Sequence, residues 1–451
     1  MKNKKMKYLL MSIALFCILI LHFSKAQQEI ISITRVSTDS LSLNKIISDV
    51  IETHPSVMEA KEALNTADAK IGLARTGYYP DVDISADYTR LGPTSVFDIP
   101  NLGSFKLFPE DNYNISLNLR ENVYDFGKTS ANVDLENENK ELASKTLDQM
   151  RQKLTLTVIN TFYSLVYLQD AIKIKDEELA NLNEHLEFVT KKNETGSSIK
   201  YEILTTKVKI STVESQKIDL QASRKIQLSI LNSLLGQKEN TELTVKKELN
   251  TDKPLIPEDS LVSVAVGHRD EVAIAKEKAA IAELRYKAAN THDNPSINIF
   301  ASGGWKNGYI PDLTIWKANY VAGVGVKIPL FDASRTKNEL LVAQSYIQSS
   351  NYDTQVISRN ISNEVIENSA NLAAADRKVG QFDLQLHHAK EAFELAKVNF
   401  QAGGITNLDL LDAATTVSES SLMLLKAKID YVQSIYRLKA ALGERLYKNL
   451  K

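Results

Sequence analysis

The chain has little that breaks a helix and almost nothing that could staple one segment to another. Its 451 residues contain 17 glycines, ten prolines and one cysteine. That scarcity excludes a low-complexity chain and a disulfide scaffold, while the length allows two or three ordinary domains. Catalytic patterns are missing too. There is no HExxH and no GxSxG; Gly127-Lys128-Thr129-Ser130 lacks the upstream glycine of a phosphate loop, with Asn122 in its place. Asp125-Phe126-Gly127 and His268-Arg269-Asp270 imitate kinase triplets, but in reversed order and without a glycine loop. The seven histidines are scattered, with only His387-His388 adjacent, a weak metal pair at most. These absences point away from an enzyme and imply no cofactor and no metal site.

The N-terminus gives the compartment. MKNKKMKY is a basic start, LLMSIALFCILILHF an apolar core, and Ser24-Lys25-Ala26 a small-x-small cleavage site before Gln27, so residues 1–26 read as a secretory signal. The competing reading is a membrane anchor, because the core approaches the short end of the spanning range. Cys17 follows Phe16 and so does not fit a lipoprotein-processing site. The signal carries five lysines and no acid, which leaves 49 basic against 56 acidic residues and a formal charge of −7. An exported, mildly acidic chain without a basic block does not suit nucleic acid.

Self-comparison shows a duplication. VMEAKEALNTADAKIGLARTGYYPDVDISA (57–86) matches VAIAKEKAAIAELRYKAANTHDNPSINIFA (272–301) at a shift of 215, with Val57/Val272, Lys61/Lys276, Glu62/Glu277 and Pro80/Pro295 identical. From Asn112-Tyr113 the shift is 207: Asp332 answers Asp125, Gly403 answers Gly196, and Leu442-Gly443 answers Leu235-Gly236. The difference of eight is one longer loop between Pro80 and Asn112. The repeats therefore read 27–236 and 267–451, joined by 237–266.

Each repeat alternates two periods. Residues 127–193 and 334–400 hold no proline, and in the first of them Val158, Leu165, Ile172, Leu179 and Leu186 recur every seven, interleaved with Leu147, Leu154, Leu168, Leu182 and Val189. This predicts coiled-coil helices of roughly 100 Å, followed by helices at 199–235 and 407–442. Strands are predicted at 80–91, 111–124, 295–305 and 318–330. Val82, Ile84, Ala86 and Tyr88 alternate with Asp81, Asp83, Ser85, Asp87 and Thr89, and Tyr113, Ile115, Leu117 and Leu119 with Asn112, Asn114, Ser116, Asn118 and Arg120. Such strands suit a membrane barrel, apolar outward, or a soluble sheet with one wet face. In lipid, four strands must close with those of other copies; two copies give eight strands, three give twelve, and the pattern alone does not choose.

The strand-to-helix turns VYDFGK (123–128) and PLFDASR (329–335), the stretch FQAGGITNLDLLDAATTV (400–417) and the terminal RLKAALGERL (437–446) together resemble the TolC family of bacterial outer-membrane efflux proteins. The resemblance covers essentially the whole chain after the signal. It implies a mixed α/β membrane protein: a homotrimer whose three four-stranded contributions form a 12-stranded barrel in outer-membrane lipid, continued by a long helical tunnel through the periplasm. Segments 27–50 and 237–266 and the C-terminal tail would form an equatorial belt. The implied partners are a periplasmic adaptor, or membrane fusion protein, and an inner-membrane transporter.

The resemblance also assigns a site. Gly196-Ser197 and Gly403-Gly404 would be hairpin tips where the adaptor docks, although a turn needs glycine in any case. Asp409 and Asp412 match the aspartates of the tunnel mouth. Asp409 also fits a capping box with Thr406, whereas Asp412 has no such local reason. A ring of carboxylates would raise pKa values, select cations and be blocked by multivalent ones. The family's gate tyrosine and arginine are replaced here by Phe400 and Ile405, facing Tyr201 and Glu202 of the first repeat, so apolar packing would serve as the lock. The alternative is a soluble periplasmic coiled-coil adaptor or spacer, which leaves the amphipathic strands unexplained.

Overall fold

A computed structural model describes residues 41–100, 103–249, 252–254 and 256–448. The expected signal at 1–26, the segment 27–40 and the last three residues lie outside these. Helices α1 (Leu43–Thr53) and α2 (Pro55–Arg75) lead into strand β1 (Asp81–Arg90), a short hairpin of β2 (Val96–Ile99) and β3 (Gly103–Lys106), and strand β4 (Asp111–Tyr124). Then come α3 (Lys128–Glu194) and α4 (Lys200–Leu234). The second repeat runs α5 (Leu261–His268), α6 (Asp270–Asn290), β5 (Ser296–Lys306), β6 (Lys317–Lys327), α7 (Arg335–Gln401) and α8 (Asn407–Ala441). The hairpin β2–β3 occupies the longer first-repeat loop, where Pro93, Pro100 and Pro109 hide any strand period.

The four long strands form one antiparallel sheet in the order β1-β4-β5-β6, so the β4–β5 pairing joins the repeats and leaves β1 and β6 as edges. Register places like with like. Val82, Ile84, Ala86 and Tyr88 stand opposite Leu119, Leu117, Ile115 and Tyr113, and the same face continues through Trp305, Ile299, Tyr320 and Val324. Ile84 is 75%, Tyr320 89% and Val324 70% exposed, a cost that water would not tolerate across a whole sheet face. The opposite face is a polar lattice: Asn118 donates to Asp83 at 2.8 Å and accepts from Ser302 at 2.8 Å, and Ser85 meets Ser116 at 3.0 Å. Aromatic side chains collect at both ends, with Tyr88, Tyr113 and Trp316 at one and Tyr124 against Phe126 at the other. The ten residues of β1 reach ~33 Å, or roughly 25 Å at a tilt of ~40°, the height of an outer-membrane apolar band.

Both turns into the long helices are built alike. Phe126 and Gly127 have φ of 52° and 94°, and Ala333 and Ser334 have 55° and 65°, so two successive left-handed residues reverse the chain in each repeat. An aspartate caps each turn: Asp125 accepts the Gly127 and Thr129 amides at 3.0 and 2.8 Å, Asp332 those of Ser334 and Thr336 at 2.9 and 2.7 Å. Burial pushes the Asp125 carboxyl up, but the Thr129 hydroxyl and the turn amides outweigh it and hold the group below its usual range. No helix among the described residues is long and apolar enough to cross a membrane.

Helices α3 and α7 each run 67 residues, ~100 Å. Helices α2 and α4 pack along α3, and α6 and α8 along α7. The largest apolar cluster sits at mid-length, where Leu43, Ile46, Ile47 and Val50 of α1 meet Val158, Ile159, Phe162 and Val166 of α3 and Ile429 and Val432 of α8. Leu41 bridges to Val245, and Leu446 and Tyr447 of the tail join the same cluster.

Where α3 meets α6, hydrogen bonding to the Glu277 carboxyl, then burial and the charges of Glu277 and Glu141, push Glu138 up to about 7. A folded-state value above the unfolded one means that the folded chain holds this proton more tightly. Stability is then highest below about pH 4.5 for this pair and declines until about pH 7, by about 1 kcal/mol after solvent screening. Glu138→Gln is expected to flatten that decline between pH 5 and 8 in thermal melts; an unchanged slope would show that the pair does not share a proton.

Candidate functional site

The ends of the long helices farthest from the sheet carry the residues that the sequence singles out. Both finish in the same motif. Gly196 and Gly403 have φ of 74° and 78°; the Ser197 amide donates to the Lys192 carbonyl and the Gly404 amide to the Asn399 carbonyl, each at 2.8 Å. Six-to-one bonds of this kind satisfy carbonyls that the helix end would leave free, and they need a left-handed residue only at the first position. Gly403 is therefore demanded by the backbone, and Gly404 is not. Gly196, Ser197, Gly403 and Gly404 are all exposed, as are the apolar side chains of Ile199, Leu204 and Leu408.

Asp409 sits at the third position of α8. Its carboxylate accepts from the Thr406 amide at 2.9 Å and hydroxyl at 2.7 Å, while the Asp409 amide donates back to that hydroxyl at 3.2 Å. The Thr406 hydroxyl, and then its amide, hold this carboxyl below its usual range, so within one chain the direction is down rather than up. Asp412 is exposed one turn on. Its carboxylate makes no hydrogen bond or ion pair among the described residues, and local structure assigns it nothing to do.

Phe400 is 6% exposed, packed with Val189 and Leu410 and flanked by Ile405, Ile203 and Phe393. The His185 ring meets it edge-on at 5.3 Å, and the Lys192 ammonium lies 5.2 Å from its centroid. Burying such a ring contributes roughly 2 kcal/mol, and a cation on its face adds about 1. Phe400 and Ile405 thus bind the second hairpin to the first. Tyr201 does not join them, being 64% exposed, and the Glu202 carboxylate is taken by the Ser198 hydroxyl in its own tip.

Two residues that pattern reading missed complete the contact. Asn407 is 5% exposed; its amide nitrogen donates to the Glu202 carbonyl at 3.3 Å and the Thr205 hydroxyl at 3.1 Å, and its oxygen lies 2.6 Å from His185 Nε2. Asn407 looks like one more polar residue of a helix start, and only tertiary packing reveals that it spans α3, α4 and α8. Among the described residues no group of acids, histidines or cysteines could hold a metal ion.

Comparison with known proteins bears on this arrangement. A family model described as outer membrane efflux protein matches residues 46–237 and 261–444. Outer membrane protein TolC of Vibrio cholerae is 20% identical over 414 residues, covering 89% of this chain and 90% of its own length. Alkaline protease secretion protein AprF of Pseudomonas aeruginosa is 22% identical over 306 residues, 67% of this chain and 64% of AprF. In structure, outer membrane protein VceC of Vibrio cholerae superposes with a TM-score of 0.75 at 20% identity, over 89% of this chain and 96% of that one.

Proposed function

The chain belongs to the outer membrane efflux protein family, and on that premise we propose that three copies form the outer-membrane duct of a tripartite efflux or secretion system. An inner-membrane transporter drives export, and a periplasmic adaptor couples it to the duct. The observation that carries this reading is a sheet with one broad exposed apolar face, two open edges and an inner polar lattice. Open edges are not tolerated in lipid, so β1 of one copy pairs with β6 of the next. Three times four strands leave a lumen, whereas two copies would fill theirs with side chains. Residues 1–26 act as the export signal, and α1, 237–266 and the tail form the belt at mid-tunnel.

The tips and the mouth divide the remaining roles. Gly196, Ser197, Gly403 and Gly404 shape hairpin ends whose exposed Ile199, Leu204 and Leu408 form the adaptor's docking surface. Asp409 and Asp412, repeated by threefold symmetry, line the entrance, and Phe400 with Ile405 holds it closed by apolar packing. Tyr201 and Glu202 border the mouth without locking it. Transport needs positioning and charge rather than bond-making groups, and the energy comes from the partner.

Fractionation tests the reading. The protein is expected in the outer membrane, migrating as a trimer in unheated detergent and as a monomer after boiling. Recovery as a monomer in the soluble periplasm would favour the coiled-coil adaptor instead.

A further inference from the structure

In the seam of the tunnel wall one layer shared by two helices carries a buried ion pair. On α3 every seventh residue from Leu147 is buried: Leu147, Leu154, Thr161, Leu168, Lys175, Leu182 and Val189 are all at most 9% exposed. On α8 the series Leu411, Ser418, Leu425 and Val432 is buried in the same way, none above 7%. Lys175 and Ser418 stand where a leucine would serve, and they touch. The Lys175 ammonium donates to Glu178 at 2.7 Å and to the Ser418 hydroxyl at 3.2 Å, and that hydroxyl donates to Glu178 at 2.5 Å, closing a triangle across the helices. Glu178 is itself 5% exposed.

The second repeat reaches the same layer. Gln385, the residue 207 positions after Glu178, donates from α7 to the Ser420 hydroxyl at 3.2 Å, and Ser420 is fully buried. Equivalent positions of the two long helices thus hold α8 by two of its serines. Ser418 lies six residues from Asp412 and nine from Asp409, ~9 and ~14 Å along the helix axis.

We propose that the Lys175–Glu178–Ser418 layer, seconded by Gln385–Ser420, is a register pin that fixes the height of α8 against α3 and α7 and so places its aspartates at the mouth. This rests on the reading of Asp409 and Asp412 as the entrance. The physical reason is the cost of a slip. Moving α8 by one heptad in either direction sets Leu411 or Leu425 against the buried ion pair, which loses its hydroxyl and cannot recover water. Single polar residues at core heptad positions act in this way in coiled coils, specifying register at the expense of stability. An apolar layer would hold the helices as firmly but would not say where.

Planar-bilayer recordings of the full-length trimer test this with two variants. Lys175→Met/Glu178→Leu/Ser418→Leu makes the layer apolar; Ser418→Ala removes only the tie and keeps both charges paired. The first is expected to keep a trimer at least as heat-resistant as wild type while its closed-state conductance rises roughly 2- to 30-fold, the range that altered coupling between packed elements spans. Ser418→Ala is expected to leak in the same direction, by less. Closed-state conductance within a factor of about two of wild type in both variants, or a leak that appears only with loss of the trimer, would overturn the pin. A conducting wild type with tight variants rejects the pin alone, because the channel reading is judged on the wild type.

Discussion

Replacing Asp409 and Asp412 together by alanine is expected to weaken block by multivalent cations, applied from the tunnel side, by roughly a hundredfold. The two residues contribute differently, and single variants separate them. Asp409 is an ionised cap held by Thr406, so Asp409→Asn keeps an acceptor for the helix start while removing a charge. Asp412 has no structural duty, so Asp412→Ala should leave folding untouched and still lose a large part of the block. At the entrance proposed above, threefold symmetry would set three copies of each carboxylate around one opening, where mutual repulsion would oppose the cap and draw in cations. Single-channel titration with a trivalent cation reads the effect directly. Equal block in wild type and double variant would remove both aspartates from the mouth.

Arg445→Ala is expected to cost about 2 kcal/mol and to lower the temperature at which the trimer dissociates in detergent. The Arg445 guanidinium bridges Asp148 of α3 at 2.8 Å and Asp270 at the start of α6 at 2.9 Å, tying the tail to both repeats. Without it, Asp148 keeps the Arg151 guanidinium at 3.1 Å, while the largely sheltered Asp270 carboxylate loses its cation. Burial, and after it the Asp148 charge, already push the Tyr447 hydroxyl upward, so further negative charge there has no outlet. The side chain is about a third exposed, which keeps the cost below that of a fully buried pair. Lysine at 445 restores the charge but not the two-pronged bridge and is expected to rescue only in part. Dissociation temperatures read from unheated-to-boiled gel series check both variants; no shift for Arg445→Ala would mean that the tail is not a clamp.

The architecture was readable in the sequence because two periods and one repeat carry it. Alternation in NYNISLNLR marks the centre of β4, since each apolar residue faces lipid and each polar one the lattice. Scarce proline and a seven-residue period suffice for rods of 67 residues. The same periodic reading passed over Lys175, because a rule that collects leucines skips a layer where the core is charged. It also missed β2–β3, whose four-residue strands are too short to show a period.

The site was readable only where local chemistry and symmetry coincide. Thr406 and Asp409 form the expected box because a cap is a short-range event. The partners of Phe400 are Val189 and Leu410, brought there by two hairpins meeting side by side, which no local window encodes. Tyr201 illustrates the reverse case: the resemblance sets it opposite Phe400 and Ile405, but it lies 64% exposed and outside the cluster around Phe400.

The central claim is that three chains close one barrel edge to edge, β1 of each against β6 of the next. The only cysteine is Cys17, inside the expected signal, so introduced pairs report without background. With cysteines at Ala86 and, in turn, at Tyr320, Ala322 and Val324, which share its face of the sheet, mild oxidation of outer membranes is expected to give covalent dimers and trimers and nothing larger. Monomers closed on themselves, or a ladder running past three, would contradict the account.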